Sequence, residues 1–445
     1  MGQYFGTDGI RGVANTELTP EFTLGLGRAV VRTLREAGAA RPRIIIGRDP
    51  RASGHMLEAA LAAGICSAGG DAVLVGVIPT PGVAFLTTHL GADSGAVISA
   101  SHNPVGDNGL KFFGPTGYKL TDAEEERIEE LLQLFYEDRP EGGAIGRVFE
   151  AHDEVRVYID HLVATADADC SGLKVVVDCA NGAASEVAPA VLSRLGCEVV
   201  AVYADPDGTN INDDCGSTHP ERIAEAVRAH GADLGFSHDG DADRLIAADA
   251  DGQLVDGDAI LAILAEREHR ERGLDTVVTT VMTNLGFTQA MERLGISVVQ
   301  TKVGDRYVLE GMREGGHPLG GEQSGHLILA RHATTGDGIL SAVALLSAVA
   351  ASGKSLANLA AVMNRLPQVL VNVRDVDRDR LDDADRLWEA VREAEGSLAG
   401  SGRVLVRASG TEPVVRVMVE AETHETAEAV ADELAAVAKQ QLGQS

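Results

Sequence analysis

Four runs of aliphatic and β-branched residues, at 173–177, 199–203, 277–281 and 298–300, most constrain what this chain can fold into. Each lies between segments of helical periodicity. A strand that is apolar on both faces needs a helix layer on each side, so runs of this kind imply largely parallel sheets in an α/β architecture. A faint repeat multiplies that unit: Arg194-Leu-Gly196 leads into Cys197-Glu-Val-Val200, Arg293-Leu-Gly295 leads into Ile296-Ser-Val-Val299, and Ala68-Gly-Gly70 before Asp71-Ala-Val-Leu74 is a looser third copy. The shared unit reads as a helix that ends at glycine and turns into a strand. Further strands are expected at 43–46, 72–77 and 95–98, and further helices at 20–36, 56–67, 122–134 and 155–164. From residue 366 the pattern changes to strand, helix (381–394), two nearby strands (403–406 and 414–420) and a last helix (425–440), a smaller α+β domain. The expected divisions are 1–152, 153–253, 254–367 and 368–445. A length of 445 residues suits roughly three to four domains, because single cores stop growing well short of it.

A net charge of -29 and a pI near 4.8 argue against nucleic acid or an anionic membrane as partner, since both need a basic footprint. No apolar run reaches a membrane span and no signal-like start is present, so the cytoplasm is the expected location. Five cysteines without metal-ligand spacing read as free thiols. Only six lysines occur, and two of them, Lys111 and Lys119, flank the segment richest in chemistry.

That segment is Ser99-Ala-Ser101-His-Asn-Pro104, directly after an apolar strand. Pro104 reads as the first turn of a helix, so Ser101 is expected beside free N–H groups at a helix N-terminus, a setting for a hydroxyl that carries phosphate; a simple helix cap is the plainer alternative. A second segment, His238-Asp-Gly-Asp-Ala-Asp-Arg244, places carboxylates at Asp239, Asp241 and Asp243. Alternate carboxylates on one turn can converge on a hard cation, and three like charges in five residues call for one. An EF-hand loop is excluded, because Arg244 stands where its glycine belongs and Ala250 where its glutamate belongs. Third is the polar loop Gly320-Gly-Glu-Gln-Ser-Gly-His326, whose donors and acceptors suit sugar hydroxyls. Fourth is Arg407-Ala-Ser-Gly-Thr-Glu-Pro413 with Arg416, a phosphate cradle in the last domain. Gly353-Lys-Ser355 lacks the leading glycine of a Walker loop, Gly25-x-Gly27 lacks the third glycine of a dinucleotide fold, and no Gly-x-Ser-x-Gly surrounds Ser101.

Ser-Ala-Ser-His-Asn-Pro, Asp-Gly-Asp-Ala-Asp-Arg, Gly-Glu-Gln-Ser-Gly-His and Arg-Ala-Ser-Gly-Thr-Glu-Pro together resemble the four signature loops of the α-D-phosphohexomutases, in order and over the whole length. The opening Gly6-Thr-Asp-Gly-Ile-Arg-Gly12 and Gln323 are most similar to the bacterial branch that acts on glucosamine phosphates. The resemblance implies three related α/β domains with mixed, largely parallel sheets and a smaller C-terminal domain around a central cleft. It implies an isomerase that interconverts glucosamine 6-phosphate and glucosamine 1-phosphate and so feeds UDP-N-acetylglucosamine synthesis. Mg²⁺, a phosphorylated Ser101, a glucosamine 1,6-bisphosphate intermediate and a glucosamine or glucose 1,6-bisphosphate activator come with it. Residue by residue, Ser101, His102, Lys111 and Arg244 would be catalytic, with His102 and Lys111 both open as the base. Ser101, Asp239, Asp241 and Asp243 would hold the metal. Arg11, Glu322, Ser324, Arg407, Ser409, Gly410, Thr411 and Arg416 would bind sugar phosphate. Lys302, Asp305 and Arg306 are weaker candidates for the same cleft. A homodimer is expected from the family alone. The alternatives are a phosphomannomutase or phosphoglucomutase, a Mg²⁺-dependent sugar-phosphate phosphatase, and a non-catalytic sensor.

Overall fold

A computed structural model describes residues 3–6, 8–134, 139–409 and 414–443. The chain falls into two compact units, Met1–Met282 with Ile296–Val362, and Thr283–Gly295 with Met363–Ser445. Among the described residues no helix is long and apolar enough to cross a membrane.

Among the described residues, the first unit holds three sheets. In the six-stranded sheet the order is Ile10–Val13, Asp107–Phe113, Ser94–Ile98, Arg43–Arg48, Asp71–Val77 and Val148–Glu150. Arg43–Arg48 runs parallel to both Ser94–Ile98 and Asp71–Val77, while Asp107–Phe113 returns antiparallel to Ser94–Ile98. The second sheet, Leu254–Val255, Ile246–Asp249, Leu234–Ser237, Lys174–Asp178 and Glu198–Val202, repeats the scheme: a parallel centre, then an antiparallel return from Leu234–Ser237 to Ile246–Asp249. So does the third, in which Leu319–Gly321 is parallel to Thr276–Thr280 and returns as Leu327–Leu329. A connection of a few residues cannot make a parallel crossover, so each return must be antiparallel. The turns at these three returns are the Ser101, Asp239 and Glu322 loops. One topological position, repeated three times, thus presents three of the four motifs.

Burial follows this layout. Ile44, Ile45 and Ile46, and Val175, Val176 and Val177, are fully buried at sheet centres. Glu198–Val202 and Ser297–Thr301 are edge strands in which no residue is fully buried: Glu198, Ala201, Ser297, Val299 and Gln300 are exposed and the others half-buried. The helix-to-strand repeat has a backbone cause: Gly69, Gly196 and Gly295 all take φ between 75° and 85°, where a side chain would strain the turn.

One expectation fails. No helix follows Ser101; residues 101–106 form turns, and Asp107–Phe113 is a strand. Only Val105 and Gly106 separate Pro104 from Asp107, whose N–H already closes a turn on the Pro104 carbonyl at 3.1 Å. Two residues cannot nucleate a helix, whereas Leu110 and Phe112 alternate into the sheet core.

The second unit is a three-stranded antiparallel sheet in the order Gln368–Val373, Val415–Glu420, Arg403–Ala408, with the helices Asp385–Leu398 and His424–Leu442. Val415, Val417 and Val419 face Leu387, Ala431 and Leu434 in its core. The first helix begins four residues later than the apolar pattern implies, because the chain before it closes tighter turns, with the Leu381 N–H on Arg378 O at 3.2 Å and the Ala384 N–H on Leu381 O at 3.1 Å.

Candidate functional site

Ser101 sits at the exit of Ser94–Ile98 with φ 51°, a left-handed conformation that a serine adopts only where its surroundings hold it. Its hydroxyl is buried and donates to Asp239 Oδ2 at 2.5 Å; His102 Nδ1 lies 3.2 Å from the same oxygen. Ligand atoms of Asp239, Asp241 and Asp243 lie within 4.8 Å of one another, and all three residues are buried. The sharp turn that gathers them contains Ala242 at φ 57° and Gly240, where an added Cβ would stand 2.5 Å from the Ser101 carbonyl. Asp241 Oδ1 and Asp243 Oδ1 are buried with no hydrogen-bond partner. Unpartnered carboxylate oxygens in such a place fit a divalent cation with oxygen ligands, and a Mg²⁺ ion would be held by these three residues together with the Ser101 oxygen. Burial, then repulsion by Asp243 and Asp241, pushes the Asp239 carboxyl up to about 8.

Lysines meet this acidity from below. Lys111 is buried, with Nζ 2.9 Å from Asp241, 3.0 Å from Asp8 and 3.8 Å from Asp243. Burial disfavours its charge, but Asp241, Asp8 and Asp243 more than compensate and raise it. Thr80 adds a hydroxyl to Asp241 Oδ2 at 2.7 Å. Lys119 bridges Asp8 at 2.7 Å and Asp305. Two lysines and their carboxylates therefore form one continuous chain of charge from the metal loop to Asp305. His326 stands between Asp243 (3.5 Å) and Asp305 (3.8 Å); burial lowers its basicity, and the carboxylates reverse this and push it up to about 9. His102 goes the other way, down to about 4, because burial, Arg244 and Arg11 all oppose its charge.

Above this floor opens a cleft of about 530 Å³ within the first unit, lined by Arg11, His102, Asp243, Arg244, Glu322 and Ser324 among others. Arg11 pairs with Asp8 and reaches Asn103 Oδ1 at 3.3 Å. The Arg244 N–H bonds Asp239 Oδ1 at 3.3 Å, and its side-chain Nε, 3.8 Å from Asp243, is buried without a hydrogen-bond partner. Glu322 accepts the Gly304 N–H at 3.1 Å, and burial raises its carboxyl. Three arginine-type or imidazole donors and two sugar-loop acceptors thus face one space beside a buried hydroxyl, an arrangement suited to a phosphorylated polyol.

The structure brings Ser101, His102, Lys111, Asp239, Asp241, Asp243, Arg244, Arg11, Glu322 and Ser324 together at this cleft. Arg407, Ser409 and Arg416 belong to the second unit. Arg407 and Arg416 are register partners on adjacent strands, and burial followed by the neighbouring Arg416 lowers Arg407. Two facing guanidiniums repel unless an anion joins them, which fits a phosphate holder. Gly410 and Thr411 lie outside the described residues. Of the weaker candidates, Asp305 lines the cleft; Lys302 lies over the Tyr307 ring, and Arg306 pairs with Asp122, Glu125 and Glu310. Sequence reasoning missed Asp8, Thr80 and Lys119 as site residues, and it read His326 only as part of the sugar loop, not as a partner of Asp243 and Asp305. The scarcity of lysine was a usable signal for Lys119, and nothing local marked Thr80.

Models of phosphoglucomutase/phosphomannomutase alpha/beta/alpha domains I, II and III match residues 2–136, 156–252 and 256–366, and the model of the C-terminal domain matches 370–437. A phosphoglucosamine mutase of Streptomyces griseus is 56% identical over 452 residues, covering 100% of both chains, and one of Desulforamulus reducens is 54% identical, covering 98% and 99%. Among solved structures, a phosphoglucomutase/phosphomannomutase family protein from Burkholderia thailandensis superposes with a TM-score of 0.83 at 27% identity, covering 98% of this chain and 97% of the other. The N-acetylphosphoglucosamine mutase of Aspergillus fumigatus, in complex with GlcNAc-6P and magnesium, shares the fold at a TM-score of 0.70 and 19% identity, with 98% and 96% covered.

Proposed function

The chain belongs to the phosphoglucosamine mutases of the α-D-phosphohexomutase family, and from that membership we propose that it interconverts glucosamine 6-phosphate and glucosamine 1-phosphate through a phosphorylated Ser101. The observation that carries the reading is the Ser101 hydroxyl against Asp239, beside a cleft lined by His102 and Asp243 together with the sugar-loop residues Glu322 and Ser324.

In the first half-reaction the bond from phosphorus to Ser101 Oγ breaks and a bond to the free sugar hydroxyl forms. The hydroxyl proton goes to His102, which lies beside Oγ and lines the cleft. Lys111 is the poorer base by geometry, since its ammonium is spread over three carboxylates. It serves instead to hold Asp241 and Asp243 in place and to offset their charge. The glucosamine 1,6-bisphosphate turns round, the bond from its other phosphoryl group to the sugar oxygen breaks as a bond to Ser101 Oγ forms, and that sugar oxygen takes the proton back from His102, releasing the isomeric monophosphate. Asp239, Asp241 and Asp243 would hold Mg²⁺, which would supply charge neutralisation during phosphoryl transfer. Arg11 and Arg244 orient the transferring phosphoryl oxygens, and Glu322 and Ser324 grip ring hydroxyls. Arg407, Ser409, Gly410, Thr411 and Arg416 hold the distal phosphate. A trace of glucosamine or glucose 1,6-bisphosphate acts as activator by phosphorylating Ser101.

The test is isomerisation of glucosamine, glucose and mannose 6-phosphates with Mg²⁺ and trace bisphosphate. Glucosamine 6-phosphate should turn over fastest; equal or faster turnover of glucose or mannose would favour a phosphoglucomutase or phosphomannomutase. Intact mass should show one phosphate, removed by Ser101→Ala.

A further inference from the structure

We propose that Arg51 and Asn212 are positioning residues that hold the Ser101 turn from behind, a role that rests on the reading of Ser101 as phosphoryl carrier. Neither lines the cleft. Yet the Ser101 carbonyl accepts from Arg51 Nη2 at 3.0 Å and from Asn212 Nδ2 at 2.9 Å. The Asn103 carbonyl accepts from the same two groups at 2.8 and 3.1 Å, and Pro104 O accepts from Arg51 Nη1 at 2.5 Å. Three carbonyls of the turn are thus drawn to one side by a guanidinium and an amide.

The guanidinium is itself fixed. Arg51 is fully buried and gives its Nε to Asp49 Oδ2 at 2.9 Å. Asp49 Oδ2 also accepts the Ser99 hydroxyl, and Ser99 Oγ accepts the Ser101 N–H at 2.9 Å. The circuit Ser101, Ser99, Asp49, Arg51 and back to Ser101 closes around the residue whose φ of 51° needs outside support. Asn212 arrives on a separate segment that is anchored next to Arg51, since the Ala52 N–H donates to Gly208 O at 2.9 Å.

The physical role follows from the missing helix. A phosphorylated Ser101 adds about -1.5 to -2 charge. With no helix N-terminus to receive it, carbonyl oxygens left facing the phosphoryl group would repel it. Arg51 and Asn212 turn those oxygens away, while the Arg51 charge is balanced by Asp49. Gly240 packs so close that a Cβ there would meet both Ser101 O (2.5 Å) and Asn212 Nδ2 (3.0 Å), so the same donors set the Ser101 turn against the Asp239 loop. An error of about 1 Å at such a point costs roughly 10²-fold in rate.

The experiment uses the full chain with Asn212→Ala, Asn212→Asp and Arg51→Lys, each checked for a cooperative thermal transition. Turnover should fall roughly 10-fold for Asn212→Ala and roughly 100-fold for Arg51→Lys, while KM for the sugar phosphate stays within about twofold. Phosphorylation of Ser101 by glucose 1,6-bisphosphate, followed by intact mass, should slow by the same factors. Asn212→Asp, which aims an acceptor at the two carbonyls, should be slower than Asn212→Ala. Should Arg51→Lys not fold, the two Asn212 variants decide. Wild-type-like kcat, a KM that rises in step with the loss of kcat, or equal rates for the two Asn212 variants overturns the proposal while leaving the mutase reading intact. A wild-type chain that isomerises no sugar phosphate sinks that reading, and this one with it.

Discussion

Among the described residues, two places in the first unit gather three possible ligand atoms within 4.8 Å: Asp239, Asp241 and Asp243, and Asp214, His219 and Glu221. Judged by spacing alone they are equals. The first set is buried, with Ser101, Lys111 and Thr80 packed against it and two carboxylate oxygens unpartnered. The second is exposed or half-exposed, and Arg222 already pairs with Asp214. Carboxylates in water lose little when left without a cation, whereas buried ones lose much, so of the two sets the first is the one that calls for a cation. Burial makes the difference.

Ser101→Ala should have the largest effect, since it removes the atom that the buried set surrounds. Isomerase activity should drop by roughly 10³-fold or more, as for loss of a covalent carrier, and intact mass should show no phosphate. Activity within tenfold of wild type would show that the buried carboxylates serve something other than that hydroxyl.

Asp243→Asn comes next. Mg²⁺ should raise the melting temperature of the wild-type chain, because a ligand that binds only the folded state stabilises it. In Asp243→Asn that rise should shrink at millimolar Mg²⁺, with affinity down by roughly 10- to 100-fold. An unchanged rise would move the cation elsewhere.

The contrast also explains what could be read in the sequence. The α/β class was legible from its fully buried strands, Ile44–Ile46 and Val175–Val177, and the smaller α+β domain from the change in pattern near residue 366. The four motif loops stood out because their residue types are costly outside a site. The turn after Ser101 was misread as a helix start, since Asn-Pro satisfies local helix rules while the return strand Asp107–Phe113 is chosen by pairing across the sheet. Asp8, Thr80, Lys119 and Arg51 gain their meaning only from partners 50 or more positions away, such as Thr80 on Asp241 and Arg51 on Ser101. Spacing along the chain holds no trace of such pairings. Asp214, His219 and Glu221 raise the opposite problem: they are near neighbours in sequence, and their proximity means little.

Asp337 separates burial from metal binding. It caps the helix Gly338–Ser352, accepting the Leu340 N–H at 2.9 Å and the Tyr158 hydroxyl at 2.7 Å. Burial, against these bonds, pushes it up to about 6. A carboxyl whose folded value exceeds its unfolded one, near 3.9, contributes stability at low pH that is lost as pH rises through the folded value. Asp337→Asn keeps the cap and can donate to the Tyr158 oxygen. Its stability relative to wild type should therefore improve between pH 4 and pH 7, by on the order of 1 to 3 kcal/mol in denaturant titrations. A pH-independent difference would mean that burial at this site imposes no charge penalty.

Asp214→Asn should do least. Asp214 takes φ 51°, which asparagine tolerates at least as well, and its pair with Arg222 lies at the surface. Exposed ion pairs contribute about 0 to 1 kcal/mol, so the melting temperature should move by a degree or two at most. The decisive reading is again the response to Mg²⁺. If burial distinguishes the two clusters, the Mg²⁺-induced rise in Asp214→Asn equals that of the wild type, while Asp243→Asn in the same titration shows little. A loss shared by both variants would mean that the exposed cluster also takes up the ion, and ligand spacing would then predict sites without regard to solvent.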